Sequence, residues 1–378
     1  METTKRKERA FSWRNAKGWL VAIAAVLTVS SCETIDDIFE EEPTVRAEHI
    51  KPKGPAPEWA PDIDPQMLAV IEEFQSFNPV PYPMLTAEQA REEPTFKDAL
   101  EALLRENDIS PEPANVMINH KVIPNGTDEG LLVRTYTPKT GTAPYPVVVY
   151  YHGGGWVITN LDTYEASASE LAEKSGAIVI SVAYRQAPEH MFPTAHEDAF
   201  AAYQWARMHA AEINGNPEMV ATAGESAGGN LAVAVALMAK ERDVVMPAHI
   251  VSVYPIADGD IQSPTYEQYE NALFLNKATM KWFFDLYVPD WESEVHPLIS
   301  LVSADLSGLP PTTIINAEID PLRYEGGVLA ERMQAAGVQV ERRVYEGVTH
   351  EFFGMNILLE EAEHAQKFAA SRLRGAFK

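Results

Sequence analysis

The sequence predicts an α/β protein built on one largely parallel sheet of eight strands flanked by helices, and three observations predict it. From about residue 116 onward, apolar runs of strand length alternate with stretches of helical spacing. Several of these runs, Val147-Val148-Val149 among them, are continuously apolar, as strands buried on both faces are. A chain of 378 residues with 46% hydrophobic and 9% aromatic content is long and apolar enough to bury such a core.

The first 31 residues read as an export signal rather than as part of the fold. Lys5, Arg6, Lys7, Arg9, Arg14 and Lys17 form a basic region, and the apolar run Trp19 to Val29 is shorter than the roughly 20 residues a spanning helix needs. Val29-Ser30-Ser31-Cys32 resembles the lipobox of bacterial lipoproteins, in which the Cys is lipidated and becomes the mature N-terminus. Cys32 is the only cysteine, so no disulfide forms within the chain. That resemblance implies a protein lipid-anchored to a membrane of the cell envelope without spanning it. Glu33 after the Cys favours the outer over the inner membrane, by analogy with enteric lipoprotein sorting. Residues 32–65, acidic and then rich in Pro and Lys, carry few apolar groups to offset ordering entropy and are expected to be a flexible tether.

The folded domain is expected over 66–378. Residues 66–112 have helix-like spacing, with Met67, Val70, Ile71 and Phe74 on one face and Leu100, Leu103 and Leu104 on another. Candidate strands follow at Val116 to Val122, Leu131 to Tyr136, Pro146 to Tyr151, Ala177 to Ala183, Met219 to Ala223, Ile250 to Tyr254, Thr312 to Asn316 and Val338 to Tyr345. Residues 259–295 interrupt the alternation with an aromatic helical segment containing Trp282, Phe283, Phe284 and Tyr287.

Gly224-Glu225-Ser226-Ala227-Gly228 fits the G-x-S-x-G pattern of a nucleophile turn, and lies between a predicted strand and a predicted helix, where that turn must lie. Glycines flank the Ser because a sharply turning backbone leaves no room for side chains. His152-Gly153-Gly154-Gly155-Trp156 follows the third strand, the position of an oxyanion loop, so the N–H groups of Gly153, Gly154 and Ala227 are the expected oxyanion donors. A phosphate cradle is the other use of such a loop, but neither G-x-G-x-x-G nor a Lys-Ser/Thr ending is present.

The order Ser, acid, His selects the remaining partners. Of the histidines after Ser226, His249 precedes a strand, His296 follows the aromatic insertion and His364 lies in a polar terminal helix; His350 follows the last strand. Asp320 follows the strand Thr312 to Asn316 and precedes Pro321, which can start the next helix; Glu318 is the rival acid. Glu225 is expected to brace the turn or the cap.

These runs resemble the bacterial hormone-sensitive-lipase family of α/β-hydrolases over roughly residues 66–378. His152-Gly153-Gly154-Gly155-Trp156 is similar to its oxyanion loop and Gly224-Glu225-Ser226-Ala227-Gly228-Gly229 to its elbow, with Glu225 where Asp is more usual. Tyr184-Arg185-Gln186-Ala187-Pro188-Glu189-His190 departs from a family run at Gln186, where Leu is normal. Asp320-Pro321-Leu322-Arg323 and Gly347-Val348-Thr349-His350 are similar to the acid and base loops, with Tyr324 where an acidic residue is commoner. The resemblance implies the α/β-hydrolase fold, a cap formed by 66–112 and 259–295, and a serine carboxylesterase acting on short- to medium-chain acyl esters through an acyl-enzyme. It also implies no metal or cofactor. The same triad could serve an amide, a lactone or an acetylated polysaccharide, and a non-catalytic lipoprotein binding module is the reading from a different class. A formal charge of −25, from 55 acidic and 30 basic residues, disfavours nucleic acid and anionic ligands and suits a small neutral ester.

Overall fold

Runs of β-branched and aromatic residues form all eight expected strands: β1 (Val116–Ile123), β2 (Leu131–Pro138), β3 (Tyr145–Tyr151), β4 (Ile178–Val182), β5 (Gly215–Glu225), β6 (Ile250–Val253), β7 (Thr312–Ile319) and β8 (Val340–Thr349). The structure is a computed structural model describing residues 49–293 and 295–378. The expected signal over 1–31, Cys32 and the first part of the tether lie outside the described residues.

The strands make one sheet in the order β1-β2-β4-β3-β5-β6-β7-β8. Only β2 runs against the rest, pairing antiparallel with β1 and β4, while β4, β3, β5, β6, β7 and β8 are parallel. Side chains alternate between two cores: Val147, Val149 and Tyr151 enter one, Val148 and Tyr150 the other. That is why the run 147–149 is apolar without a break.

The helices are α1 (Pro65–Ser76), α2 (Ala87–Ala90), α3 (Phe96–Glu106), α4 (Glu165–Ser175), α5 (Thr194–His209), α6 (Ala227–Glu241), α7 (Pro264–Gln268), α8 (Lys277–Tyr287), α9 (Arg323–Ala335) and α10 (Glu360–Ala376). Helix α6 packs in the same core as α5 and α9, and α4 with α10 in the other. Helix starts follow local chemistry: Asp64 caps α1 by accepting from the N–H groups of Gln66 and Met67, and Thr95 with Asp98 closes a capping box on α3.

The two segments expected to form a cap meet each other. Trp282 of α8 stacks on Tyr82 and donates to the Leu85 carbonyl at 3.3 Å, while Phe74 of α1 sets its edge against Phe274. Arg91, at the end of α2, ties this layer down. Its guanidinium donates to the carbonyls of Val157 and Ala187 at 2.8 and 2.7 Å and pairs with Glu189.

The tether expectation is corrected over its described end. Ile50, Ala60 and Ile63 are buried and join the same core as α1, Asp64 N–H donates to the Gly347 carbonyl, and the N–H groups of Lys53 and Gly54 donate to Glu72. A few apolar side chains spaced between prolines suffice when a groove is ready to take them, and proline lowers the entropy lost on docking. Ile63→Ala is therefore expected to lower the free energy of urea unfolding by about 2–3 kcal/mol, the low end for a buried Ile truncation. A tether would give no change.

Candidate active site

Four parallel strands end on one edge of the sheet, and the residue after each is a candidate: His152 after β3, Ser226 after β5, Asp320 after β7 and His350 after β8. A parallel sheet places these ends side by side, so residues far apart in sequence converge.

Ser226 occupies the N-cap position of α6, where serine ordinarily turns its hydroxyl onto the helix N–H groups. Here it makes no such bond. Its backbone sits at φ 56°, ψ −119°, and its Oγ turns toward His350. The turn closes because Gly228 has no side chain; a Cβ there would come within 1.9 Å of the Tyr151 carbonyl oxygen. The Ser226 N–H donates to the Val253 carbonyl at 2.9 Å, tying the turn to the end of β6.

His350 Nδ1 lies 2.7 Å from Asp320 Oδ2, and His350 Nε2 lies 2.9 Å from Ser226 Oγ. An ionised carboxylate only accepts, so Nδ1 carries the proton and Nε2 of the neutral ring accepts from the serine hydroxyl. Asp320 is fully buried, and its second oxygen accepts from the Leu322 N–H at 2.8 Å. Tyr254 packs against the imidazole with ring centroids 4.4 Å apart. Burial alone would depress the His350 pKa. The Asp320 charge and hydrogen bond, followed by Glu351 and Glu225, outweigh it and hold the imidazole above its ordinary 6.5. Glu318 takes no part in this line, because its carboxylate accepts from the Gly347 N–H.

The loop after β3 is fixed from its outer side. Tyr184 Oη donates to the carbonyls of His152 and Gly153 at 2.9 and 3.2 Å, and Thr159 Oγ1 donates to the Gly153 carbonyl at 2.8 Å. In a trans peptide the C=O and N–H point in opposite directions. Anchoring the carbonyls of residues 152 and 153 therefore turns the N–H groups of Gly153 and Gly154 the other way. Gly154 has φ +95°, and a Cβ there would meet the Ile158 carbonyl oxygen at 2.2 Å. His152 stacks on Tyr184, and burial lowers its pKa to about 4, so it is a neutral brace. Gln186 donates to the carbonyls of Ile158 and Thr159 and closes the same loop. Ala227 is the first residue of α6, where backbone N–H groups have no intrahelical acceptor.

Ser226, Gly154, Gly155, His350 and Glu351 line a cavity of about 50 Å³, closed by Phe74, Tyr82, Phe96, Phe274 and Phe283 from the two cap segments. Below the turn, Glu225 accepts from the Tyr150 and Tyr254 hydroxyls, and burial raises its pKa to about 7. Glu351 accepts from Tyr164 at 2.7 and 2.8 Å, and burial raises its pKa too. Tyr164, Thr159 and Glu351 carried no sequence signal: the Tyr164–Glu351 contact joins residues 187 positions apart. Among the described residues no group of three His, Cys, Asp or Glu side chains is placed to hold a metal ion.

A family described as the alpha/beta hydrolase fold matches residues 148–354. Carboxylesterase NlhH of Mycobacterium tuberculosis is 34% identical over 326 residues, covering 84% of this chain and 97% of the relative. An ethyl acetate hydrolase of Pseudomonas putida is 34% identical over 237 residues, covering 62% of this chain and 74% of its own. Among solved structures, a thermostable esterase from Pseudomonas putida aligns with a TM-score of 0.76 and 29% identity, covering 84% of this chain and 99% of that one. A hyperthermophilic esterase from Pyrobaculum calidifontis aligns at 0.74 and 33%, covering 83% and 98%. With over half its length matched by that family and a carboxylesterase related to it along nearly the whole of the relative, the chain belongs to the α/β-hydrolase fold family and is a carboxylic ester hydrolase.

Proposed function

We propose that the chain is a serine carboxylesterase in which Ser226 is the nucleophile, His350 the general base and acid, and Asp320 the group that orients and charges the imidazole. One observation carries this reading: the unbroken line from Asp320 through His350 to the Ser226 hydroxyl, with separations of 2.7 and 2.9 Å. Serine is a weak nucleophile until a base takes its proton, and an imidazole bonded to a buried carboxylate is such a base. Ser226 attacks the ester carbonyl as His350 accepts its proton. The tetrahedral oxyanion is bound by the N–H groups of Gly153, Gly154 and Ala227, each worth on the order of a hundredfold in rate by comparison with other such donors. His350 protonates the departing alcohol and then activates the water that releases the acyl group.

The small aromatic cavity supports short- to medium-chain acyl esters, since a long chain would need the cap to open. The acidic surface, with a formal charge of −25, supports a neutral substrate. Lipidation at Cys32, with residues from there to about 49 as spacer, would hold the esterase on a membrane of the cell envelope. No described helix is long and apolar enough to cross one.

Ser226→Ala is expected to cut p-nitrophenyl butyrate hydrolysis by on the order of a millionfold with an unchanged circular dichroism spectrum. Retained turnover would refute the assignment. The acid limb supplies a second check. The base works only when neutral, so kcat/KM falls as pH drops through a midpoint above 6.5, and in Asp320→Asn the residual activity titrates with a lower midpoint. For the anchor, Cys32→Ser is expected to move the protein from the membrane to the soluble fraction of a fractionated cell, and an unchanged distribution would exclude lipidation there.

A further inference from the structure

Glu351 stands apart from the machinery just described, yet four observations draw it in. It immediately follows His350 and lines the same cavity as Ser226. Its backbone lies at φ +75°, ψ 4°, a left-handed conformation that strains any side-chain-bearing residue and gathers at functional sites. Its carboxylate is held by Tyr164, whose hydroxyl lies against the oxyanion loop: a Cβ on Gly153 would come within 2.3 Å of it. Its Oε1 lies 3.9 Å from His350 Nε2.

The last distance is too long for a direct hydrogen bond and suits a shared water, since one molecule about 2.8 Å from each atom bridges the two. After the alcohol departs, the water that attacks the acyl-enzyme must stand beside Nε2. It has two protons and needs two acceptors to be oriented; Nε2 takes one and Glu351 is placed to take the other. A carboxyl oxygen accepts a water O–H whether or not the group is ionised. During acylation the same locus is filled by an ester oxygen, which has no proton to offer, so Glu351 has no matching bond to give.

We infer that Glu351 is a further catalytic residue specific to deacylation, holding the hydrolytic water between its Oε1 and His350 Nε2, with Tyr164 fixing the carboxylate. The water oxygen bonds to the acyl carbon, and one of its protons passes to Nε2. The carbon–oxygen bond to Ser226 then breaks, and Nε2 returns that proton to the serine oxygen. The second water proton stays on the product acid, and Glu351 ends as it began.

This inference rests on Ser226 forming an acyl-enzyme, and the test separates the two. Stopped-flow hydrolysis of p-nitrophenyl acetate and intact mass are measured on the full chain for wild type, Glu351→Met, which keeps the length of the side chain but has no oxygen to accept from the water, and Glu351→Gly. Glycine is at ease at φ +75°, so the second variant is expected to be no less stable than wild type, which separates folding from chemistry. The expected result is kcat/KM within about threefold of wild type, kcat and KM both lowered tenfold or more, a burst of about one equivalent of p-nitrophenol, and an acetyl adduct accumulating on Ser226. Tyr164→Phe gives the same pattern, more weakly. Adducts on Ser226 that decay at the wild-type rate, or kcat/KM falling as far as kcat without a burst, overturn the role of Glu351 alone. An adduct on another residue overturns the serine reading and this inference with it.

Discussion

The backbone at Ser226 is the constraint from which the rest of the site follows. A serine at φ 56°, ψ −119° is strained, and the strain persists only because surrounding contacts leave no alternative. The residue is clamped by its N–H to Val253, and the elements on either side of it close to within the width of a glycine. A relaxed serine here would turn its hydroxyl onto the first turn of α6 and become an ordinary helix cap. The turn denies it that partner and points Oγ at the imidazole. Local stability is given up where a hydroxyl aimed at the imidazole is needed, and helix α6 behind the turn, buried along all but its last two residues, offsets the loss.

The loop after β3, proposed to bind the oxyanion, solves the same problem with opposite means. There the groups to be presented are backbone N–H donors, which cannot be strained into exposure without a cost elsewhere. Instead their peptide planes are held by the carbonyls: Tyr184 and Thr159 bind the outward oxygens of residues 152 and 153, and Gln186 binds those of Ile158 and Thr159 farther along the loop. Donors fixed in this way need no reorganisation when charge develops, which is the condition for large electrostatic stabilisation. The run 184–190 thus has its effect without lining the cavity, Tyr184 and Gln186 deciding which way the peptides after His152, Gly153, Ile158 and Thr159 face.

The fold was legible because parallel strands buried on both faces have an unmistakable composition, and the convergence of Ser226, Asp320 and His350 was legible because each follows such a strand in a required order. Strand ends were less so. β5 begins at Gly215, and β7 and β8 run on to Ile319 and Thr349, because pairing with a neighbour extends strands through residues whose own preference is weak. Composition failed over residues 50–64, where sparse apolar groups could not fold alone but could dock on a finished surface. Nothing in the sequence marked Glu351. A glutamate beside a histidine is unremarkable until the fold shows its backbone in the left-handed region and its carboxylate against Tyr164.

Both buried carboxylates near the turn follow one rule. Glu225 is bound by two tyrosine hydroxyls and Glu351 by one, so each has donors that are neutral at any pH the protein meets. A lysine or arginine in the same place would pair more strongly, but it would also place a full positive charge beside His350 and lower the basicity that Asp320 raises. Tyrosine satisfies the carboxylate while leaving the local field negative, and that field contributes to His350 through both glutamates. Burial pushes both glutamates toward the neutral form, with that of Glu225 reaching about 7, so the negative field is strongest toward alkaline pH, where the imidazole would otherwise have least tendency to take a proton. The tyrosines thus keep the site's basicity tied to Asp320 and the two glutamates rather than to any fixed positive charge.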